Sequence, residues 1–126
     1  MTETAKRVLI VEDDAWLGEL FATVIEAHYY AVRRATSAES AIELIDDFTP
    51  DVLLLDMLLT GPNAMTLLHE LQSYEDTKRL PVVLCTSLTH MHKNFEALKA
   101  YGVRSVLNKA TLTPASLLAA IEEALS

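Results

Sequence analysis

Glu12, Asp13 and Asp14 stand directly after the apolar run Val8-Leu9-Ile10-Val11, and Asp56 stands directly after Val52-Leu53-Leu54-Leu55. Thr86 and Ser87 follow Val82-Val83-Leu84-Cys85, and Lys109 follows Val106-Leu107-Asn108. Each of these groups sits where a short strand would end. Carboxylates gathered at one place bind a hard divalent cation through oxygen. An ammonium neutralises phosphoryl oxygens as a compact point charge, and a carboxylate beside both is a nucleophile for phosphorus. The set is chemically suited to accept a phosphoryl group at a metal-assisted site.

For these residues to meet, the apolar runs must be parallel strands whose C-terminal ends share one edge of a sheet, the edge at which open α/β folds place their ligands. Five strand-like runs alternate with five helix-like stretches in units of about 25 residues, the pattern of a parallel sheet covered on both faces. Helices are predicted near 14–27, 37–47, 64–74, 90–101 and 114–125, the first with an apolar stripe at Leu17, Leu20, Phe21, Val24 and Ile25. Thr36 with Glu39 reads as a capping box, Thr113-Pro114 as a cap before a first-turn proline, and Asp14 as a cap of the first helix.

The runs 8–11, 52–55 and 82–85 are apolar throughout, as interior strands are. Tyr29–Arg34 and Val103–Leu107 mix apolar with polar residues and suit the edges. The expected fold is a doubly wound (βα)5, flavodoxin-like sheet of order 2-1-3-4-5, one domain over 1–126. That order puts strands one and three side by side at the topological switch point and brings Glu12, Asp13 and Asp56 together. Without metal, the clustered charges are expected to raise at least one carboxylate pKa.

The remaining composition narrows the function classes. A net charge of −8 in 126 residues opposes nucleic acid and anionic membrane surfaces, whose binding rests on Lys and Arg. No apolar stretch approaches the roughly 20 residues of a membrane span. Cys85, the single cysteine, permits neither an intrachain disulfide nor a multi-cysteine metal site. The expected location is the cytoplasm.

The acidic pair after the first strand, Asp56 after the third, Thr86-Ser87 after the fourth and Lys109 after the fifth resemble the receiver domain of two-component response regulators. The resemblance covers nearly the whole chain. It implies that Asp56 takes a phosphoryl group from a sensor histidine kinase or a histidine phosphotransfer protein, with Lys109 and Thr86 contacting the group. It also implies a Mg²⁺ ion on Asp13, Asp56 and the Leu58 backbone carbonyl, with Glu12 holding a coordinated water. The domain would signal by conformational change to a partner protein, free-standing with no output domain after it, and would catalyse only its own phosphorylation and slow dephosphorylation. A homodimer through the last two helices and fifth strand stays open.

The sequence departs from the family at four positions. Ala110 replaces the proline after the lysine, which leaves either a trans peptide with a reshaped loop or a costly cis bond. Thr60 and Ala64 stand where proline and glycine are usual, and Val106 replaces the switch aromatic, so an inward-moving ring is not the output signal here. Leu58 and Leu88, two residues after Asp56 and Thr86, fall at positions that in this family flank the path of the hydrolytic water; both are apolar, so the resemblance implies slow loss of phosphate. These departures give weight to an alternative, a pseudo-receiver that binds proteins independently of phosphorylation. A haloacid-dehalogenase-type phosphatase would need an acid at Leu58. The histidines at 28, 69, 90 and 92 read as ordinary surface residues and Cys85 as a small core hydrophobe. Trp16 is expected near the acidic pocket.

Overall fold

The all-apolar runs become strands buried on both faces in the computed structural model of the chain, which describes residues 5–57, 64–87 and 95–126. The strands are Arg7–Val11 (β1), Ala31–Ala35 (β2), Val52–Leu55 (β3), Val82–Thr86 (β4) and Val103–Asn108 (β5). All four pairings are parallel, in the order β2-β1-β3-β4-β5. Parallel neighbours need a crossover, and a helix supplies each one. The helices are Ala15–Glu26 (α1), Ala38–Phe48 (α2), Ala64–Gln72 (α3), Phe95–Leu98 (α4, followed by a 3-10 turn over Lys99–Tyr101) and Pro114–Leu125 (α5). This is the flavodoxin-like (βα)5 architecture.

The two faces of the sheet carry separate apolar layers. On one, Phe21, Ala22 and Ile25 of α1 and Leu117, Ala120, Ile121 and Ala124 of α5 pack on Val8, Ile10, Leu54 and Val83. On the other, α2, α3 and α4 cover Leu9, Val11, Leu53, Leu55 and Leu84. Successive strand residues point to opposite faces, so an unbroken apolar run feeds both layers at once. The edge strands β2 and β5 are only partly covered, as their mixed composition implies.

Local signals fix most boundaries, with shifts at α2 and β2. Asp14 caps α1 by accepting from the Leu17 amide, and Thr113 caps α5 with Pro114 in its first turn. The capping box of α2 is made by Ser37 with Ser40, one residue beyond the predicted Thr36–Glu39 pair. A hydroxyl at the third position serves as well as the expected carboxylate. β2 begins at Ala31 rather than Tyr29, because Tyr29 adopts a left-handed φ of 69° that turns the chain after α1. Along α1 the buried positions are Gly18, Phe21, Ala22 and Ile25, whereas Leu20 is exposed. The predicted fourth helix over 90–101 is described only from Phe95 onward.

Register sets the functional edge. Val11 pairs with Leu55, so Glu12 and Asp56 emerge next to each other, and the Asp56 amide donates to the Val11 carbonyl at 3.1 Å. Thr86 pairs with Asn108, and the Lys109 amide donates to the Thr86 carbonyl at 3.0 Å.

Candidate functional site

Four strand ends deliver the side chains. Glu12, Asp13 and Asp56 each bring a carboxylate oxygen within 4.8 Å of the others. Glu12 and Asp56 are buried, while Asp13 is partly open to solvent. Lys109 reaches in from the far side of β4: its Nζ lies 2.7 Å from Glu12 Oε1 and 3.1 Å from Asp56 Oδ2. Thr86 is buried at the last position of β4. The sequence-predicted residues Glu12, Asp13, Asp56, Thr86 and Lys109 thus share one edge. Leu58, and with it the expected backbone carbonyl ligand, lies outside the described residues, as do Thr60, Leu88, His90 and His92.

Burial of two carboxylates in one place is costly unless the charge is compensated. Burial pushes the Glu12 carboxyl above its usual value, and the neighbouring Asp56 charge adds to this, while the hydrogen bonds from Lys109 and the Asp14 amide act the other way. A raised carboxylate is therefore present, but loss of hydration contributes more than like-charge repulsion. Burial alone would lower the Lys109 ammonium. The hydrogen bonds and charges of Glu12 and Asp56 outweigh that loss and hold it above the usual lysine value. Behind the site, burial pushes the Cys85 thiol up to about 12. Cys85 is 1% exposed and packs in the α1/α5 layer, the small hydrophobe its run implies.

The loop at Lys109 resolves the question raised by Ala110. No cis peptide occurs among the described residues, so the Lys109–Ala110 bond is trans. The Ala110 amide, a donor that proline would lack, bonds to Asn108 Oδ1 at 2.9 Å, and the Thr111 amide bonds to the Asn108 carbonyl at 3.1 Å. In the sequence Asn108 reads only as the end of the fifth strand. An Asn at the start of a turn is the signal that marks it. Trp16 is 71% exposed at the start of α1.

The donor set fits a hard dication. It is all oxygen and all carboxylate, with two members buried and one facing water, which leaves room for water ligands of the kind Mg²⁺ retains. No helix among the described residues is long and apolar enough to cross a membrane.

Known proteins resemble this chain in sequence and fold. Residues 8–122 match the response regulator receiver domain family. The chain is 32% identical over 85 residues to the transcriptional regulatory protein BaeR of Escherichia coli O6:H1, covering 68% of this chain and 34% of that protein. It is 29% identical over 103 residues to the response regulator PleD of Caulobacter vibrioides, covering 82% and 22%. Among solved structures, the BeF3-activated N-terminal receiver domain of RstA from Klebsiella pneumoniae superposes with a TM-score of 0.82 at 32% identity, covering 95% of this chain and 98% of that one. The chemotaxis response regulator CheY4 of Vibrio cholerae shares the fold at a TM-score of 0.86 and 22% identity, covering 97% and 100%. The chain spans about a third of the length of the curated regulators BaeR and PhoB that it matches. On the match over residues 8–122, this chain belongs to the response regulator receiver domain family of two-component signalling.

Proposed function

We propose that the protein is a phosphoacceptor switch in which Asp56 receives a phosphoryl group from a sensor histidine kinase or a histidine phosphotransfer protein. The observation that carries this reading is the meeting of three carboxylates within 4.8 Å of one another, with the Lys109 ammonium 3.1 Å from Asp56 Oδ2. A surface cluster of acids serving only solubility would not bury Asp56 to 4% exposure beside a lysine drawn from the other side of the next strand.

In the transfer, an Asp56 carboxylate oxygen forms a bond to phosphorus. The bond from phosphorus to the donor's imidazole nitrogen breaks with its electron pair passing to that nitrogen, and an acyl phosphate results. Bound Mg²⁺ supplies charge neutralisation between carboxylate and phosphoryl oxygens. Asp13 and Asp56 would hold the ion directly, and Glu12 would hold a water on it. Lys109 then exchanges its contact with Asp56 for the incoming phosphoryl oxygens, and the Thr86 hydroxyl donates to the same group. Differential contacts of the phosphorylated and free states shift the conformational equilibrium that a partner protein reads. With Val106 at the usual aromatic position, the shift runs through Thr86 and the backbone that follows it.

The domain acts in the cytoplasm as a single receiver unit over residues 1–126, and its only catalysis is of its own phosphorylation and slow dephosphorylation. Incubation with Mg²⁺ and acetyl phosphate, followed by intact mass measurement, tests the reading. A single adduct of one phosphoryl group is expected for the wild type and none for Asp56→Asn. Absence of the adduct in the wild type overturns the phosphoacceptor reading in favour of a phosphorylation-independent binding module.

A further inference from the structure

We infer that Asn108 is a positioning residue for Lys109: its side-chain carbonyl spans the lysine, accepts the Ala110 amide, and fixes the backbone from which the ammonium reaches the acids. Lys109 stands just beyond the end of β5, inside a turn. On its N-terminal side it is anchored by its own amide, bonded to the Thr86 carbonyl at 3.0 Å. On its C-terminal side the chain leaves the sheet, and no ladder partner holds it. The three bonds that close this side all end on Asn108: the Ala110 amide on Oδ1 at 2.9 Å, the Thr111 amide on the backbone carbonyl at 3.1 Å, and the Thr111 hydroxyl on the same carbonyl at 3.5 Å.

The Ala110 bond is not needed to satisfy a buried donor, because Ala110 is exposed and water could serve its amide equally well. Its effect is conformational. An Asn side chain bonded two residues on mimics a backbone turn and restricts the residue between, and here that residue is Lys109. A lysine side chain carries about 2 kcal/mol of rotamer entropy, so a contact at 2.7 Å with Glu12 and 3.1 Å with Asp56 holds only if the backbone aims the chain correctly. Among the described residues the Asn108 side chain bonds to the Ala110 amide and not to Glu12, so its influence on the acids runs through Lys109.

The consequence for phosphorylation rests on the phosphoacceptor reading; the placement of Lys109 does not. The test therefore uses two readouts on the full chain: the rate of amine labelling at Lys109 with a methylating or acetylating reagent, located by peptide mass, and the rate of adduct formation at Asp56 with Mg²⁺ and acetyl phosphate. Asn108→Ala is expected to raise Lys109 labelling about fivefold and slow the adduct by a similar factor, the scale of one hydrogen bond. Asn108→Ser keeps a neutral acceptor and is expected to stay within about twofold of wild type.

In an Ala110→Pro background the donor is gone, so Asn108→Ala is expected to change neither rate, the signature of a coupled pair. Unchanged Lys109 labelling in Asn108→Ala, or an equal effect in both backgrounds, overturns the inference. If the proline variant fails to fold, the serine variant decides: labelling as fast as in Asn108→Ala overturns it, and labelling near wild type supports it. A wild type without adduct refutes the phosphoacceptor reading, while the labelling comparison still decides the role of Asn108.

Discussion

Lys109 and Glu12 lie 97 positions apart in sequence and 2.7 Å apart in space, joined by a hydrogen-bonded ion pair whose carboxylate side is almost fully buried. The pair also touches Asp56 through the same ammonium. One ammonium therefore contacts both buried carboxylates.

Removing that ammonium deprives both buried acids of a counter-ion they share. Lys109→Met is expected to lower the unfolding free energy by about 3 kcal/mol in EDTA, the usual scale for breaking a buried pair from one side. Because a dication replaces the missing positive charge, the loss should shrink when Mg²⁺ is added. Urea titrations of both proteins with and without metal measure this; equal stability in EDTA would refute the counter-ion role.

Metal binding to the folded state alone should raise stability by mass action, by about 2.7 kcal/mol at a hundredfold excess over the dissociation constant. Thermal melts across a Mg²⁺ series are expected to show a rising midpoint for the wild type. Asp13→Asn, which removes the most open of the three carboxylates, should flatten the series. A parallel rise in both proteins would place the ion elsewhere.

Cys85 offers a pH signature apart from the site chemistry. Its thiol is pushed from 9.0 to about 12 by burial, so the unfolded chain releases this proton first as pH rises. Its contribution is fully present below pH 9 and is lost between 9 and 12, at about 1.4 kcal/mol per pH unit. The stability gap between wild type and Cys85→Ala should hold constant from pH 7 to 8.5 and narrow above pH 9. A thiol reagent should label the native protein only on unfolding, and rapid labelling at neutral pH would contradict the burial.

Gly102 precedes β5 with φ +85°, and a Cβ there would stand 2.9 Å from the Leu80 carbonyl oxygen. Its own carbonyl accepts the Val82 amide at the start of β4. Gly102→Ala is expected to cost about 1–3 kcal/mol through a left-handed backbone and a backbone clash. A chemical denaturation midpoint unchanged from wild type would show that the turn can relax.

Much of this fold is legible along the chain because its signals are local. Val8–Val11, Val52–Leu55 and Val82–Cys85 are apolar at every position, so both faces of each strand must be covered, and that requires a sheet between helix layers. Glu12, Asp56, Thr86 and Lys109 follow strand ends directly, so strand order alone brings them to one edge. Boundaries were less legible where two caps compete. Ser37 took the role expected of Thr36, and the left-handed Tyr29 delayed β2, because neither choice shows until the chain is packed.

The linear chain carries the inventory and its order: which carboxylates, which hydroxyl and which amine, each at the end of which strand. Only the tertiary structure decided that Lys109 pairs first with Glu12 and also reaches Asp56, and that a trans Lys109–Ala110 bond held by Asn108 lets it do so. The physical reason is range. Apolar periodicity and caps act over a few residues and are written in neighbouring letters. The reach of one ammonium across a sheet depends on register, backbone direction and burial, which exist only once distant strands lie side by side.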